Sequence, residues 1–392
     1  MAYDLVLEGK IVDLENIFEA QIGIEDGVIK EIKKQGLKEE RTIKTSSSSL
    51  IFPGFIDPHV HLREDANHEW DYKEDFLTGS KAAAHGGVTA VFDMPNNKLP
   101  SVTKDRILKK KELARKAIID VFFYGGVHPD HFGQIEKMSD DVIGYKIYLS
   151  MTTGGLIISE NDLEKALPIL SKANKPLVFH CEDMKLLEKV LANKGKFHRH
   201  IAHVSNIETL DIIKKFRNSY TTFETAPHYL FFDKSKTEDY RYSVHPPLED
   251  IADVKALREA LIRGEVDMIG TDHAPHTLED KKNGIGGVPN LDTYGNFISW
   301  LIKVLKMDPT NIVKLSSYNV AKLFGLNDRG RIAEGLKADL AVLDTNSPTK
   351  IKSDNLYTKC GWSPFEGMEF PGKIAFTIKN GKILMEDGIV VE

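Results

Sequence analysis

The sequence is poor in cysteine and lacks long apolar runs. Its 392 residues include two cysteines, Cys181 and Cys360, which are too few for a disulfide framework. No apolar stretch approaches the roughly 20 residues that a membrane-spanning helix requires. Asp4, Glu8 and Lys10 interrupt the apolar residues at the start, where a secretory leader would need them unbroken. The sequence therefore predicts a protein of the reducing cytoplasm with no membrane partner.

Positive charge is also scarce. Lysine and arginine number 52 against 58 aspartates and glutamates, a formal net charge of −6, which argues against a nucleic-acid partner. A small anionic substrate would therefore need a local cationic pocket. The composition, with 41% apolar and 28% charged residues, is that of an ordinary globular protein with a large core. Collagen, coiled coils and disordered tails are excluded.

Histidine is missing from both ends of the chain, because all fourteen histidines lie between His59 and His276. Chemistry that uses imidazole is therefore predicted in the middle. The ends carry short alternating segments, such as residues 5–7 and 376–378, that are typical of strands. We interpret residues 1–50 and 337–392 as one composite β-rich domain, a small β-sandwich, and residues 51–336 as the domain that carries the chemistry.

Short apolar segments alternate with helical patterns through the middle of the chain, where Ser159 and Asp162 mark one helix start. The eight segments predicted as strands are residues 53–62, 88–95, 121–127, 143–149, 176–182, 200–205, 221–228 and 266–273. Eight such alternations predict an α/β fold, a (β/α)8 TIM-type barrel. A doubly wound α/β sheet is the alternative, but no phosphate-binding glycine fingerprint follows the first strand.

Candidate metal ligands occur on or at the ends of several predicted strands. In chain order they are His59, His61, Lys146, His180, His203 and Asp272. Because the active sites of such barrels collect at the carboxyl ends of the strands, these residues are expected to meet. Imidazole and carboxylate ligands suit zinc. Each residue also has a simpler explanation, as a hydrogen-bonded core histidine, a surface lysine or a helix-capping aspartate, but together these would require many coincidences.

In this order and at these strand positions, the six residues resemble the amidohydrolase superfamily. The resemblance implies that Lys146 reacts with carbon dioxide and, as an N6-carboxylated lysine, bridges two Zn²⁺ ions per subunit. It assigns His59, His61 and Asp272 to one ion and His180 and His203 to the other. Carboxylation would replace a cationic side chain, which is a poor neighbour for two divalent cations, by an anionic ligand.

Further motifs resemble the dihydroorotases within this superfamily. They are His61-Leu62-Arg63-Glu64, Met94-Pro95-Asn96-Asn97 and Thr271-Asp272-His273-Ala274-Pro275-His276. The resemblance covers essentially the whole chain and implies that Arg63, Asn96 and His276 bind the carboxylate of the substrate. A guanidinium offers two parallel donors to a carboxylate. A salt bridge at the barrel rim for Arg63 and turn geometry for Asn96 are the simpler explanations.

The sequence departs from the dihydroorotase pattern at two places. His245 and Glu249 stand where asparagine and arginine are usual, and residues 65–67 replace a usual Pro-Gly turn. His245 can still donate to a pyrimidine carbonyl, and we include it among the substrate-binding candidates. An allantoinase or hydantoinase-type cyclic-amide hydrolase stays open, although those relatives generally lack an arginine at the position of Arg63. A catalytically inactive scaffold is less favoured because all six metal positions are filled.

The resemblance implies a reversible, zinc-dependent hydrolysis of (S)-dihydroorotate to N-carbamoyl-L-aspartate, a step of pyrimidine (UMP) biosynthesis. A metal-activated water would attack the ring carbonyl, and Asp272 would take its proton and return it to the departing nitrogen. Residues 150–155 are either a mobile loop over the substrate or an ordinary connection. The partner implied is a small-molecule substrate; a homo-oligomer and an association with aspartate transcarbamoylase are left open.

Overall fold

The computed structural model describes residues 3–38 and 41–391 of the chain. The strands of the amino-terminal part are β1 (Leu5–Val12), β2 (Ile17–Glu25), β3 (Val28–Lys33), β4 (Thr42–Lys44) and β5 (Ser49–Pro53). The strands of the middle are β6 (Phe55–Val60), β7 (Val88–Asp93), β8 (Asp120–Gly126), β9 (Gly144–Tyr148), β10 (Leu177–His180), β11 (Arg199–Ile201), β12 (Thr221–Thr225) and β13 (Met268–Ile269). The strands of the carboxyl-terminal part are β14 (Leu340–Asp344), β15 (Thr349–Lys350), β16 (Glu369–Phe370), β17 (Lys373–Lys379), β18 (Lys382–Glu386) and β19 (Ile389–Val390).

Helices separate the strands of the middle part. They are α1 (Phe76–His85), α2 (Lys104–Leu113), α3 (Ile135–Met138), α4 (Glu160–Lys172), α5 (Met184–Ala192), α6 (Ile207–Phe216), α7 (Pro227–Phe231), α8 (Ile251–Ile262), α9 (Leu278–Lys282), α10 (Tyr294–Lys303), α11 (Pro309–Val313) and α12 (Asn319–Phe324). The predicted start of α4 is confirmed, since the Ser159 side chain accepts a hydrogen bond from the Asp162 amide. Within the described ranges, no helix is both long and apolar enough to cross a bilayer.

The middle strands form a closed parallel barrel. Strands β6 to β13 are neighbours in chain order, and the first and last are joined because the His61 amide donates to the His273 carbonyl at 2.8 Å, beside a parallel bridge between Val60 and His273. Each of the eight predicted segments overlaps one of these strands; six contain the whole strand, while β8 and β11 begin one residue before the predicted segment. The predicted (β/α)8 barrel is therefore confirmed, and the doubly wound alternative is wrong because the sheet closes.

Apolar side chains fill the lower part of the barrel. Phe92 and Tyr124 point inward, and Phe324 of α12 packs against both, with ring centroids 4.9 Å and 5.9 Å away. The alternation along β9 places Lys146 and Tyr148 on the same inward face, above this plug. The packed interior leaves the carboxyl ends of the strands as the place where a cavity can open.

Strands from both ends of the chain share one sheet, in the order β19-β18-β17-β14-β5-β1-β2-β3, with β4 beside β1. The two ends meet where β5 pairs antiparallel with β14. The sheet has an apolar core of its own, which includes Leu7, Ile22, Ile51 and Leu340. The β-rich part built from both termini is thus present as expected. The boundaries 1–50, 51–336 and 337–392 stay a prediction, and β5 continues to Pro53.

Candidate active site at the carboxyl end of the barrel

Three of the predicted ligands converge on one point. The Nε2 atoms of His59 and His61 lie 3.3 Å and 3.2 Å from the same oxygen, Oδ1 of Asp272. All three side chains are buried, and their ligand atoms lie within 4.8 Å of one another. Two imidazole nitrogens and a carboxylate oxygen at this separation form a donor set that zinc accepts.

Three of the predicted ligands lie just past the ends of the observed strands rather than within them. His61 follows the last residue of β6, His203 lies two residues past β11, and Asp272 lies three residues past β13. His203 and Asp272 both have positive φ, 39° and 48°, a conformation that residues other than glycine adopt rarely and that clusters at functional sites. Lys146 was predicted at a strand end, but β9 continues two residues further, to Tyr148, and Lys146 is therefore its middle residue.

The four histidines form a continuous row at the barrel mouth. Ring centroids are 5.4 Å apart for His61 and His59, 5.2 Å for His59 and His203, and 4.6 Å for His203 and His180. His180 Nδ1 lies 2.7 Å from His203 Nε2. Burial lowers the pKa of His61 to about 3 and that of His203 well below its usual value. Neutral imidazoles keep the lone pairs that metal ions bind.

Lys146 lies in this site as a buried amine without a partner. It is fully buried, and its Nζ has no hydrogen-bond partner among residues 3–38 and 41–391. Burial is the main reason why its pKa falls to about 8, although Glu224 and Asp272 oppose the change. An isolated buried ammonium is costly, and a larger share of Lys146 is therefore neutral than of an exposed lysine. His203 Nδ1 is likewise buried without a partner, and these two unsatisfied groups fit a centre that binds further ligands.

Asp272 remains a carboxylate despite its burial. Burial raises its pKa, but the interactions with His59 and His61, of which the electrostatic attraction of His59 is the largest, outweigh that effect, and the pKa falls below its ordinary value. Asp272 can therefore accept a proton at neutral pH. A carboxylate that is both near the histidine row and exposed to the cavity suits a proton carrier.

Glu224 is a buried residue that sequence reasoning missed. In β12, its Oε1 accepts a hydrogen bond from His59 Nδ1 and its Oε2 lies 3.1 Å from His200 Nε2. This contact directs Nε2 of His59 toward Asp272, as carboxylates commonly do for metal-binding histidines. Burial raises the pKa of Glu224, but His59 and His200 lower it by more than burial raises it, so that Glu224 stays ionised. The signal that the sequence offered for Glu224 was a carboxylate within a segment predicted as a barrel strand.

Asn96 connects the histidine row to the loop of residues 150–155. His61 Nδ1 donates to Asn96 Oδ1 at 2.8 Å, and Asn96 Nδ2 donates to Thr152 Oγ1 at 3.0 Å and to the Thr153 carbonyl at 3.1 Å. The loop therefore lies over the site and contributes two threonines to its wall. The sequence located the loop but did not single out these two residues.

One cavity is lined by eight of the ten predicted site residues, and the other two, Lys146 and His276, are not among the described residues that line it. Its lining includes His59, His61, Arg63, Asn96, Tyr148, Thr152, Thr153, His180, His203, His245, Asp272 and Gly287. His245 is exposed at the rim, whereas Tyr148 is buried in the wall, and its hydroxyl has no hydrogen-bond partner among the described residues. Sequence reasoning missed Tyr148, although its position two residues after Lys146 on one strand placed it on the same face.

Arg63 supplies the cation that an acidic protein otherwise lacks. Its side chain is 3% exposed; Nε donates to the Pro275 carbonyl at 3.2 Å, and Nη2 contacts His276 Nε2 at 3.0 Å. Burial lowers the pKa of Arg63 to about 10, so it stays protonated at neutral pH. His276 lies behind Arg63, outside the set of described residues that line the cavity, and its predicted contact with substrate stays a prediction.

Comparison with known proteins gives consistent results at three levels. The model of the amidohydrolase family matches residues 50–384. The dihydroorotases of Pyrococcus abyssi and Pyrococcus horikoshii are each 36% identical to this chain over 99% of its length. The matches span 96% and 93% of the lengths of these two relatives. Among solved structures, the L-hydantoinase (dihydropyrimidinase) of Arthrobacter aurescens superimposes with a TM-score of 0.90 at 26% identity, over 100% of this chain and 98% of that one.

Proposed function

Since the chain belongs to the amidohydrolase family, we propose that it is a dihydroorotase, which hydrolyses (S)-dihydroorotate reversibly to N-carbamoyl-L-aspartate. It is a hydrolase of cyclic amides. The observation that carries the proposal is the presence of Arg63 in the same cavity as His59, His61 and Asp272. A substrate with a carboxylate on the ring needs a buried cation beside the hydrolytic centre, and a guanidinium is well suited to it.

The residues fit a pair of zinc ions. In the proposed arrangement, His59, His61 and Asp272 would hold one ion, His180 and His203 would hold the other, and Lys146, once carboxylated, would supply a ligand to both. The convergence of the first three donors supports this, as does the unpartnered amine of Lys146, whose pKa burial lowers to about 8, since only a neutral amine can attack carbon dioxide. Bound zinc would lower the pKa of water and polarise the ring carbonyl.

The side chains of the chain itself would bind, orient and carry protons. Hydrolysis adds water across the amide, so a C–O bond forms, the ring C–N bond breaks and one proton must reach the nitrogen. Asp272, ionised at the start, accepts the proton from water and returns it to the leaving nitrogen. Arg63 and Asn96, with His276 behind Arg63, orient the carboxylate, and His245 at the rim offers a donor to the ring.

The hydantoinase-type alternative has weaker support. The likeness to the Arthrobacter hydantoinase is close in fold but only 26% in sequence, against 36% for the Pyrococcus dihydroorotases. His245 and Glu249 are the residues that favour the alternative, because they replace the asparagine and arginine of the dihydroorotase pattern. Arg63 opposes it, since neutral hydantoins have no carboxylate to bind. Cytoplasmic location, a homo-oligomer and association with aspartate transcarbamoylase remain predictions of the same proposal.

The test is turnover of L-dihydroorotate by the purified protein supplied with zinc and bicarbonate, with hydantoin and allantoin under identical conditions. We expect ring opening of dihydroorotate and little or none of the two neutral rings. Metal analysis of the same sample should return two zinc ions per chain. Turnover of hydantoin or allantoin without dihydroorotate would contradict the substrate, and a protein that binds no zinc would be a scaffold.

A further inference from the structure

Arg63 is the first of three buried cationic or imidazole side chains that run away from the cavity. Its Nη2 lies 3.0 Å from Nε2 of His276, and Nδ1 of His276 lies 3.1 Å from Nζ of Lys73. The three side chains are 3%, 0% and 2% exposed. Lys73 belongs to the segment between β6 and α1 and lies outside the set of described residues that line the cavity, so it can reach the substrate only through the other two.

The chemistry of the imidazole fixes the direction of both hydrogen bonds. A guanidinium can only donate, so Nε2 of His276 must offer its lone pair to Arg63. A neutral imidazole then carries its single proton on Nδ1. That N–H points at Nζ of Lys73, which must accept the hydrogen bond. An ammonium group has no lone pair, and therefore the two hydrogen bonds coexist only when Lys73 is a neutral amine.

The surroundings of Lys73 act in both directions: its Nζ lies 5.0 Å and 5.4 Å from the ring centroids of Trp70 and Tyr72, which favour an ammonium group, whereas its burial favours a neutral amine. Burial lowers its pKa, the charge of Arg63 lowers it further, and Asp280 opposes both. Asp280 lies 3.5 Å from Nζ, beyond an ordinary hydrogen bond. Its oxygens already accept from the Tyr72 hydroxyl at 2.9 Å and from the amide and hydroxyl of Thr277 at 3.0 Å. Burial likewise takes the pKa of His276 well below its usual value, so the ring is neutral.

We propose that Lys73 is a positioning residue for substrate recognition: as a neutral amine it accepts the Nδ1–H of His276, fixes the tautomer whose Nε2 accepts from Arg63, and so holds the guanidinium toward the substrate carboxylate. The inference rests on the proposed function, because it assumes an anionic cyclic amide as substrate. It extends that function by assigning selectivity for a ring carboxylate to a chain of three residues rather than to Arg63 alone.

The kinetic test compares Lys73→Met with Lys104→Met in the zinc-loaded enzyme. Methionine keeps the volume of Lys73 but cannot accept the hydrogen bond, whereas Lys104→Met removes a partly exposed ion pair between α2 and Asp141 and leaves Lys73, His276 and Asp280 in place. For L-dihydroorotate we expect Lys73→Met to raise KM by about tenfold, the upper end of what one neutral hydrogen bond contributes, with kcat changed far less. Lys104→Met should keep both constants near wild type.

A pair of inhibitors separates positioning from general damage. Orotate carries the ring carboxylate and uracil lacks it. Inhibition by orotate should weaken about tenfold in Lys73→Met, while inhibition by uracil stays unchanged. Equal weakening for both inhibitors, or a wild-type KM in Lys73→Met, would overturn the proposal.

Nitrogen NMR of the wild-type protein labelled with ¹⁵N-histidine tests the tautomer without any Lys73 variant, using His276→Gln to assign the signal. The proton of His276 should be on Nδ1, and a proton on Nε2 would overturn the inference even if Lys73→Met fails to fold. A wild-type enzyme that does not open dihydroorotate would instead refute the proposed function, and the NMR result would still decide the tautomer.

Discussion

The two ends of the barrel differ in whether their buried polar groups have partners. At the amino end, Lys379 lies 2.9 Å from Asp120 at the start of β8 and 3.1 Å from Asp339, and Arg329 contacts both aspartates. At the carboxyl end, Lys146 Nζ, His203 Nδ1 and the Tyr148 hydroxyl are buried without partners in the described ranges. One end satisfies its charges internally, while the other leaves donors and acceptors open to a ligand.

This difference separates stability from function within one domain. A buried polar group without a partner costs about 1–3 kcal/mol, so the carboxyl end is held in place by the surrounding fold rather than by its own contacts. The paired charges of the amino end join a barrel strand to the sheet that contains β14 and β17. Barrels in general keep stabilising contacts at the amino end and catalysis at the carboxyl end. Variants at each end should therefore affect different measurements.

The largest effect is expected for Asp272→Asn at the carboxyl end. The amide keeps the shape but cannot take the proton from water, and a proton carrier contributes about 10²–10⁴-fold to a rate. We expect kcat for dihydroorotate to fall by that range. The thermal unfolding midpoint should stay near wild type, because the contribution of Asp272 is to chemistry. Turnover close to wild type in this variant would refute the assignment of Asp272.

Arg329→Met tests the other half of the comparison. It leaves Asp339, which is 5% exposed, with Lys379 as its remaining cationic partner, so the loss should lie below the cost of a buried charge without any partner, about 3–5 kcal/mol. We expect that loss in the free energy of unfolding from urea titration, with kcat and KM of the folded enzyme unchanged. Lys337→Met is the matched control, because its ion pair with Asp328 is substantially exposed and should be worth less than about 1 kcal/mol. Equal losses in both variants would contradict the role of burial.

Glu224→Gln should act on the carboxyl end through metal affinity. The variant keeps a hydrogen-bonding group beside His59 but removes the carboxylate that orients its ring. Loss of such a partner typically weakens metal binding about 10–100-fold. Zinc affinity, measured by competition with a chelator, should fall by that factor, whereas Glu208→Gln on α6, away from the cavity lining, should leave it unchanged. Unaltered zinc affinity in Glu224→Gln would show that His59 needs no such support.

The barrel could be predicted from the sequence because its strands are covered on both faces. Such strands appear as short apolar runs with turn signals between them, and each predicted segment overlaps an observed strand. The boundaries were less certain. The first segment, residues 53–62, joined the last residue of β5 to all of β6, because Gly54 separates two apolar strands without a polar break.

The site could be predicted only as far as residue type and strand position reveal it. The order of the histidines, Lys146 and Asp272 was sufficient to bring them to one mouth. Glu224 and Lys73 were missed because their partners are distant in sequence: Glu224 contacts His59 across 165 residues and Lys73 contacts His276 across 203. Neither belongs to a local motif, so their contacts with the site become visible only when the barrel closes.

The smallest effect, and the sharpest test of the comparison, is expected for Tyr148→Phe. The change removes only the hydroxyl, which is buried in the cavity wall without a partner in the described ranges. Because an unsatisfied buried group is unfavourable, the ligand-free variant should unfold at the same temperature as wild type or at a higher one. If the hydroxyl serves the substrate, kcat/KM for dihydroorotate should fall by about two- to tenfold, the size of one neutral hydrogen bond. A lower unfolding temperature with unchanged kcat/KM would mean that Tyr148 stabilises the carboxyl end, and the contrast between the two ends would then fail at this residue.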